Sequence, residues 1–357
     1  MCQTPKFVHV KSPIQQNKGY VMMIPCNRPD CPECSNNNRA VFVARCKAES
    51  NEFKQAYFVT LNYSDNNLVY YKPYASRSTR YAALKKAREL YEKDTPFAWS
   101  EFVVSKEHAK KFHESVQKKL KEINPNIRCR FYLTAEYGTV YSRPHYHLLM
   151  WFPNVYDFNK DFVTSLLQKC WSYGFVDVGY ITPADINYVA KHQIKDDIGS
   201  KIQQQFAPNF HLQSTYGGSI GRSLIKSPEV LINYNNGSNF ITTGGYKCTI
   251  PRFLKRKFHP DNLTDDELRQ RCADSQANFA KSYIFETGTP LDFDPSSILD
   301  LSDIPYKLDG YINTIKKRQF NDKLKYRKQK FNKKWLDLHR NGFRSNYNSE
   351  YYCNIIN

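Results

Sequence analysis

The sequence predicts an α+β fold, in which a central antiparallel sheet is flanked by helices and followed by a helical, basic C-terminal extension. Apolar runs at residues 131–138 and 143–151, separated by a turn-like segment, are typical of a β-hairpin. Residues 58–63 and 175–180 read as two further strands. Apolar residues at helical spacing lie between these runs, so that helices alternate with the strands of the sheet.

Three of the predicted helices rest on apolar and helix-forming residues at a period of 3.6. They cover residues 81–91, Lys106–Ile123 and 161–172. The second helix is rich in lysine, and its basic face either contacts DNA or is an ordinary solvated surface. These lysines are Lys106, Lys110, Lys111, Lys118, Lys119 and Lys121.

A fourth helix is predicted to begin after Thr182, which precedes a proline at the first helical position and forms a capping box with Asp185. Its apolar residues follow the spacing of a core-facing stripe. They are Ile186, Val189, Ala190 and Ile194. The opposite face combines a tyrosine with basic side chains, namely Tyr188, Lys191, His192 and Lys195.

Two histidines lie two residues apart in the second strand of the predicted hairpin. Because side chains alternate along a strand, His145 and His147 share one face of the sheet. Glu136 lies near the end of the partner strand. Two imidazoles and one carboxylate predict a site for one divalent metal ion, whereas the alternative makes both histidines ordinary core residues.

Cysteines cluster near the N-terminus. Cys26, Cys31 and Cys34 are separated by four and two residues, and Cys46 follows. Four such thiolates predict a tetrahedral zinc site. The irregular spacing fits equally well a set of reduced, partly buried cysteines, and the sequence leaves both alternatives open.

Composition points to single-stranded nucleic acid as the partner. The chain has 52 Lys and Arg against 34 Asp and Glu, a net charge of +18, and 15% aromatic residues. Cations follow a phosphate backbone and rings stack on bases, which is the combination that single-stranded DNA requires. The sequence has neither an apolar run of membrane-spanning length nor a signal-peptide pattern, so a cytosolic protein is expected, with no membrane partner.

Candidate DNA contacts lie in several basic segments. Arg222 follows a glycine-rich stretch, whose amides approach a phosphate or which forms a mobile loop. A second segment, residues 246–258, contains Arg252, Lys255, Arg256 and Lys257. The basic tail at 316–334 forms either a helix docked on the core or an auxiliary DNA-binding helix. The predicted division is a cysteine-containing region at 1–55, a core at 56–230 and a basic extension at 231–357.

The central block of the chain resembles the HUH endonucleases, and among them the rolling-circle replication initiators of small single-stranded DNA phages of the microvirus, gokushovirus-like group. The resemblance rests on TAEYG at 134–138, RPHYH at 143–147, WSYGFVDVG at 171–179 and YVAK at 188–191. It implies an HUH-like α+β core, with Glu136, His145 and His147 holding Mg²⁺ or Mn²⁺.

The resemblance further implies that Tyr188 nicks an origin strand, leaving a 5′-phosphotyrosine link and a free 3′-OH, and later rejoins the strand. Lys191 and Lys195 would stabilise the phenolate or hold the phosphate, and Arg143 would contact DNA. A host helicase and a host polymerase would be partners. Such initiators often carry a second tyrosine four residues after the first, but this chain has His192 there. We therefore expect a single-tyrosine reaction with His192 as a helper.

Two other functions agree with the same residues. A relaxase or single-strand transposase would share the metal site and the tyrosine but act on different DNA. A non-enzymatic DNA-binding or packaging protein would use His145 and His147 only for structure, and would bind DNA without metal and without a covalent adduct.

Overall fold

The computed structural model describes residues 6–11, 19–28, 31–194, 199–235, 240–243 and 246–254. The strands in these ranges are β1 (Lys6–Lys11), β2 (Gly19–Ile24), β3 (Gln55–Tyr63), β4 (Val69–Tyr70), β5 (Phe102–Val103), β6 (Arg130–Tyr137), β7 (Pro144–Phe152), β8 (Gly174–Tyr180), β9 (Phe210–Gln213), β10 (Phe240–Thr243) and β11 (Tyr246–Thr249). The helices are α1 (Pro32–Glu52), α2 (Arg77–Glu92), α3 (Lys106–Ile123), α4 (Lys160–Cys170), α5 (Pro183–Ile194), α6 (Lys201–Phe206) and α7 (Pro228–Asn235). Within the described ranges, no helix has both the length and the apolar character needed to cross a membrane.

Five strands form the central sheet in the order β8, β3, β7, β6, β9. Every neighbouring pair is antiparallel. Helices cover both faces, so the predicted α+β class with a central antiparallel sheet is confirmed. The strand β7 lies in the middle, where it is held by hydrogen bonds on both sides. The predicted helical extension beyond residue 254 lies outside the described residues.

The two faces of the sheet bury separate apolar cores. On β7, Tyr146, Leu148 and Met150 point into the core that includes residues of α3 and α4. Leu149 and Trp151 point the other way, into the core formed with α1 and α5. This alternation follows from the strand pleat, and it makes the run hydrophobic at nearly every position because both faces are covered.

The helix α3 has the bounds that the sequence predicts. Its buried stripe packs on the sheet and consists of Ala109, Phe112, Val116 and Leu120. Among its lysines, Lys111 pairs with Glu107 at 2.6 Å and Lys119 with Glu122 at 2.9 Å. Both pairs are solvent-exposed, as expected for a charged helix surface. A DNA contact of this face stays a prediction.

The long helix α1 was not predicted from the sequence. It is buried on more than one side, because Phe42 and Val43 join the core against α5 while Ala40 and Ala44 pack with β10 and β11. A helix enclosed in this way has no single apolar stripe, which is the pattern that sequence analysis detects. The contacts of α1 cross the domain limits predicted at residues 55 and 230. The three-part division stays a prediction.

Candidate metal centre and tyrosine nucleophile

The hairpin of β6 and β7 brings the predicted metal ligands together. Its turn closes through the Gly138 N–H, which donates to the Arg143 carbonyl at 2.9 Å. The turn sets a register in which Glu136 lies directly opposite His145. His147 follows two residues later on the same face. One ligand atom from each of Glu136, His145 and His147 lies within 4.8 Å of the others.

Hydrogen bonds orient both imidazoles. Nδ1 of His145 lies 3.0 Å from the Arg143 carbonyl, which can only accept, so Nδ1 carries the proton and Nε2 keeps its lone pair. Nδ1 of His147 contacts the Thr60 hydroxyl on β3 at 3.1 Å. Phe58 stacks on the His147 ring, with centroids 5.3 Å apart. A partner on the second ring nitrogen is the usual way to fix a metal-binding histidine.

These donors fit a divalent metal ion. Two imidazole nitrogens and one carboxylate oxygen form a mixed set that first-row divalent ions accept, and three protein ligands leave positions for substrate oxygens. Glu136 is 2% exposed and His147 is 9% exposed, while His145 is half-buried at the edge. A buried carboxylate beside two imidazoles needs a cationic partner, and a bound metal ion supplies one.

The helix α5 places Tyr188 beside this group. Its predicted start is confirmed, because Thr182 and Asp185 exchange hydrogen bonds as a capping box. Ile186 and Val189 are buried against the sheet, which turns Tyr188 toward β7. The Tyr188 hydroxyl lies 3.4 Å from Nε2 of His147.

The surroundings of Tyr188 favour its neutral form. Burial, and then the charge of Glu136, raise the pKa of Tyr188 to about 12. Cations near the hydroxyl would reverse this effect. Lys191 is one helical turn along and exposed. The side chain of His192 and the whole of Lys195 lie outside the part of the chain that the structure describes.

Arg143, a predicted DNA contact, has several internal partners. Its Nη2 donates to the Tyr63 carbonyl at 2.8 Å and to the Asp65 carboxylate at 2.7 Å. Its guanidinium lies 4.3 Å from the centre of the Trp99 ring. The described contacts therefore tie the turn before His145 to β3.

The glycine loop before Arg222 is held by buried charges. The Gly221 N–H donates to Glu49 Oε2 at 2.7 Å, and Arg130 pairs with the same carboxylate. Gly221 has a φ of 77°, and a Cβ there would lie 2.6 Å from the Arg45 backbone. The predicted approach of this amide to a DNA phosphate is wrong, because the anion that it binds is Glu49.

Arg222 bonds the Gly217 carbonyl and lies 3.2 Å from Glu52, yet 43% of its side chain is exposed. Arg252 is exposed just after β11. Lys255, Arg256 and Lys257 lie outside the described residues. A DNA contact of these cations stays a prediction.

Three of the four predicted zinc ligands form a second group. Sulfur atoms of Cys26, Cys31 and Cys34 lie within 4.8 Å of one another, and all three residues are buried. Cys31 is the N-cap of α1, and Cys34 lies on its first turn. The Cys26 and Cys34 sulfurs are 3.6 Å apart.

The prediction that Cys46 completes this group is wrong. Cys46 follows Cys34 by twelve residues on the same helix, which corresponds to a rise of about 18 Å. It is buried in the core between α1, α5 and the sheet. Burial raises the pKa of the Cys46 thiol, as expected for a sulfur in apolar surroundings.

Comparison with known proteins defines the class of the molecule. A family model of replication-associated proteins of the ORF2 type matches residues 56–197. This segment contains Glu136, His145, His147 and Tyr188. The resemblance to replication-associated proteins of small phages, predicted from the sequence, is thereby confirmed.

Two curated relatives agree with this class. The chain is 27% identical over 191 residues to replication-associated protein ORF2 of Spiroplasma virus 4, covering 50% of this chain and 51% of that protein. It is 24% identical over 258 residues to replication-associated protein VP4 of Bdellovibrio phage phiMH2K, covering 69% and 71% of the two chains. The chain thus spans about half the length of the first relative. No solved structure matches it.

Sequence reasoning missed the residues that support the site. Thr60 and Phe58 contact His147 from β3, and Glu49 with Arg130 fixes the glycine loop. Thr60 does occur in a predicted strand. Its place opposite His147 depends on strand order, however, and that order is absent from local spacing.

Proposed function

We propose that this protein is a replication initiation endonuclease that nicks single-stranded or origin DNA by tyrosine transesterification and rejoins the strand. The observation that supports this function most strongly is the position of Tyr188. Its hydroxyl lies 3.4 Å from His147, at the edge of the Glu136, His145 and His147 group. A nucleophile and a metal-binding group are thus within reach of one phosphate.

In the proposed reaction, the Tyr188 oxygen attacks the scissile phosphorus. A bond forms between that oxygen and phosphorus, and the bond from phosphorus to the 3′ oxygen breaks. The phenol loses its proton to solvent, and the departing oxygen takes one up and becomes a free 3′-OH. The 5′-phosphotyrosine keeps the energy of the diester, so attack by a 3′-OH reseals the strand without ATP.

A bound Mg²⁺ or Mn²⁺ would act as a Lewis acid that polarises the phosphate and orients it. Glu136, His145 and His147 would hold the ion. Lys191, on the same face of α5 as Tyr188, would stabilise the phenolate or the phosphate, and we assign the same role to Lys195. His192 would help by contacting the phosphate or carrying a proton.

We further propose that Cys26, Cys31 and Cys34 bind a structural zinc ion. Thiolate sulfur is the preferred protein ligand of zinc, and three buried sulfurs at one helix start leave a single tetrahedral position to fill. A carboxylate is close at hand, since Glu33 Oε2 lies 3.2 Å from the Cys31 sulfur. The ion would anchor the start of α1.

The replication role supplies the remaining partners. The substrate would be the viral origin as a single strand, the free 3′-OH would prime a host polymerase, and a host helicase would open the duplex. Such a protein would work in the cytoplasm of a bacterial host.

The test is a covalent-adduct assay. The protein is incubated with single-stranded DNA of its own genome and Mn²⁺, and a protein–DNA adduct is sought on a denaturing gel. We expect an adduct that a chelator prevents and that Tyr188→Phe abolishes while DNA binding persists. Tyr180→Phe is the matched control, because Tyr180 is 64% exposed on β8 and outside the site.

An adduct that persists in Tyr188→Phe would place the nucleophile elsewhere. Metal-independent DNA binding without any adduct would instead favour a non-enzymatic binding protein. Nicking of a supercoiled origin followed by extension by a host polymerase separates an initiator from a relaxase or transposase.

A further inference from the structure

A cleft opens at the far end of the β6–β7 hairpin from the metal-ligand group. Its volume is about 470 Å³, and residues before β6, after β7 and in the glycine loop line it. Glu136 is six residues from Arg130 along β6, a span of about 20 Å at roughly 3.4 Å per residue. The cleft and the candidate active site are therefore separate places on one hairpin.

The lining of the cleft combines cations with aromatic rings. It contains Arg128, Arg130 and Arg222 but no carboxylate, together with Phe53 and Tyr216. A concave surface with guanidinium groups and rings fits a ligand that is both anionic and planar.

Two of the lining residues have the capacity to bind such a ligand directly. Tyr216 is 64% exposed, and the Arg128 guanidinium lies 5.7 Å from the centre of its ring. Among the described residues, Arg128 donates from Nη1 only, to the carbonyls of Pro125 and Ile127. Its Nη2 and Nε thus remain available for a phosphate. Arg130 and Arg222, in contrast, hold the loop.

A row of exposed side chains connects the cleft to the metal-ligand group. On the edge strand β9, His211 lies opposite Thr134 and Gln213 lies opposite Tyr132. Both are exposed, and both lie on the face of the sheet that carries Glu136. Tyr216 follows three residues after Gln213. The row runs parallel to β6 and ends at the cleft.

We propose that this cleft binds a nucleotide of the single-stranded DNA that flanks the cleavage site. The base stacks on Tyr216, the phosphate contacts Arg128, and the intervening strand follows His211 and Gln213. This inference rests on the proposed function for the identity of the substrate. It adds a second anchor, which holds the DNA at a fixed distance from Tyr188.

The experiment measures binding of single-stranded oligonucleotides, of about 4 to 16 nucleotides, by fluorescence anisotropy with a chelator present. The variants are Tyr216→Ala and Arg128→Glu. The controls carry the same changes at exposed positions of another surface, namely Tyr74→Ala and Arg77→Glu. Tyr216→Phe keeps the ring and serves as the conservative variant.

Tyr216→Ala is expected to weaken binding of the longer oligonucleotides at least about fivefold, the effect of losing one stacked base. Arg128→Glu is expected to weaken binding and to lower the salt dependence by about one phosphate contact. Tyr216→Phe and both controls are expected to bind like the wild type. The shortest oligonucleotides are expected to bind the wild type and Tyr216→Ala with equal affinity, because they occupy the Tyr188 end only.

Wild-type affinity of Tyr216→Ala for the longer oligonucleotides would overturn the cleft proposal, and so would an equal loss of affinity for duplex DNA. If Arg128→Glu does not fold, the comparison of Tyr216→Ala with Tyr216→Phe decides. The adduct assay separates the two proposals. An adduct with normal binding by Tyr216→Ala rejects the cleft alone, whereas weakened binding without any adduct in the wild type rejects the nuclease alone.

Discussion

The two metal-ligand groups of this protein differ in donor chemistry and in the elements that carry them. Glu136, His145 and His147 lie on two paired strands in the middle of a covered sheet, and the set mixes nitrogen with oxygen. Cys26, Cys31 and Cys34 lie in a short segment that ends at the first turn of α1, and the set is all sulfur. A half-buried histidine and a tyrosine border the first group, so substrate can enter, whereas all three cysteines are buried.

This difference indicates separate tasks. Mixed donors with open positions are typical of an ion that contacts substrate, whereas buried sulfur donors are typical of an ion that holds chain segments together. The three cysteines form a cluster of their own, without another buried apolar residue. That cluster is too small to order a segment by apolar packing alone. Changes in one group should therefore alter reaction rates, and changes in the other should alter stability.

The largest expected effect comes from removing a ligand on the strands. His147→Ala, His145→Ala and Glu136→Ala should each lower the rate of adduct formation more than about a hundredfold, above the 10–100-fold range typical of outer-shell partners. The measurement is a time course of adduct formation at saturating Mn²⁺. Zinc content should stay at the wild-type value in all three variants. Parallel loss of zinc would show that the groups are not separate.

The second prediction concerns the cysteines. Cys31→Ser should remove bound zinc and lower Tm by several degrees, since about 1 kcal/mol corresponds to roughly 2–4 °C in a domain of 150–250 residues. Elemental analysis and thermal unfolding measure the two effects. The matched control is Cys46→Ala, which removes a buried cysteine of the same helix and should keep the zinc.

Two results would contradict the zinc proposal. Protein purified without chelator that contains no zinc would return the three residues to the alternative of reduced thiols. An intact mass lower by two hydrogen atoms, restored by reductant, would instead indicate a disulfide between Cys26 and Cys34.

Sequence reasoning succeeded where chemistry follows from local spacing. The alternation of His145 and His147, the hairpin that brings Glu136 opposite, and the cap at Thr182 all depend on residues within a few positions of one another. The bounds of α3 follow from its period in the same way. These features survive folding because turn geometry and helix periodicity are set locally.

Features set by tertiary packing were missed. Cys46 was assigned to the zinc group from its residue type, but the continuity of α1 carries it far from Cys34. Arg222 and its glycines suggested a phosphate site, but Glu49, distant in sequence, already occupies the Gly221 amide. Both errors arise from α1, whose burial on several sides conceals it from pattern analysis.

The third prediction sharpens the account of the strand-borne group through a residue outside it. Thr60→Val keeps the shape of the side chain but removes the hydroxyl that contacts His147 Nδ1. The His147 ring should then be less well oriented, and metal affinity should fall about 10- to 100-fold. Titration of adduct formation with Mn²⁺ should show the loss mainly at low metal concentration. A rate that falls equally at saturating Mn²⁺ would mean that Thr60 acts otherwise.

The smallest expected effect tests how firmly α5 holds the nucleophile. Thr182→Ala removes the capping hydroxyl while Ile186 and Val189 stay buried, so we expect a loss of about 1 kcal/mol in the free energy of unfolding. Packing against the sheet should still keep Tyr188 beside His147, and adduct formation should change less than about threefold, well below the effect of any metal ligand. Denaturant unfolding and the adduct time course, measured on one preparation, give both values. Thr182→Ser keeps the hydroxyl and should match the wild type in both. A loss of adduct as large as that of His147→Ala would mean that the cap, and not the apolar stripe, sets the position of Tyr188.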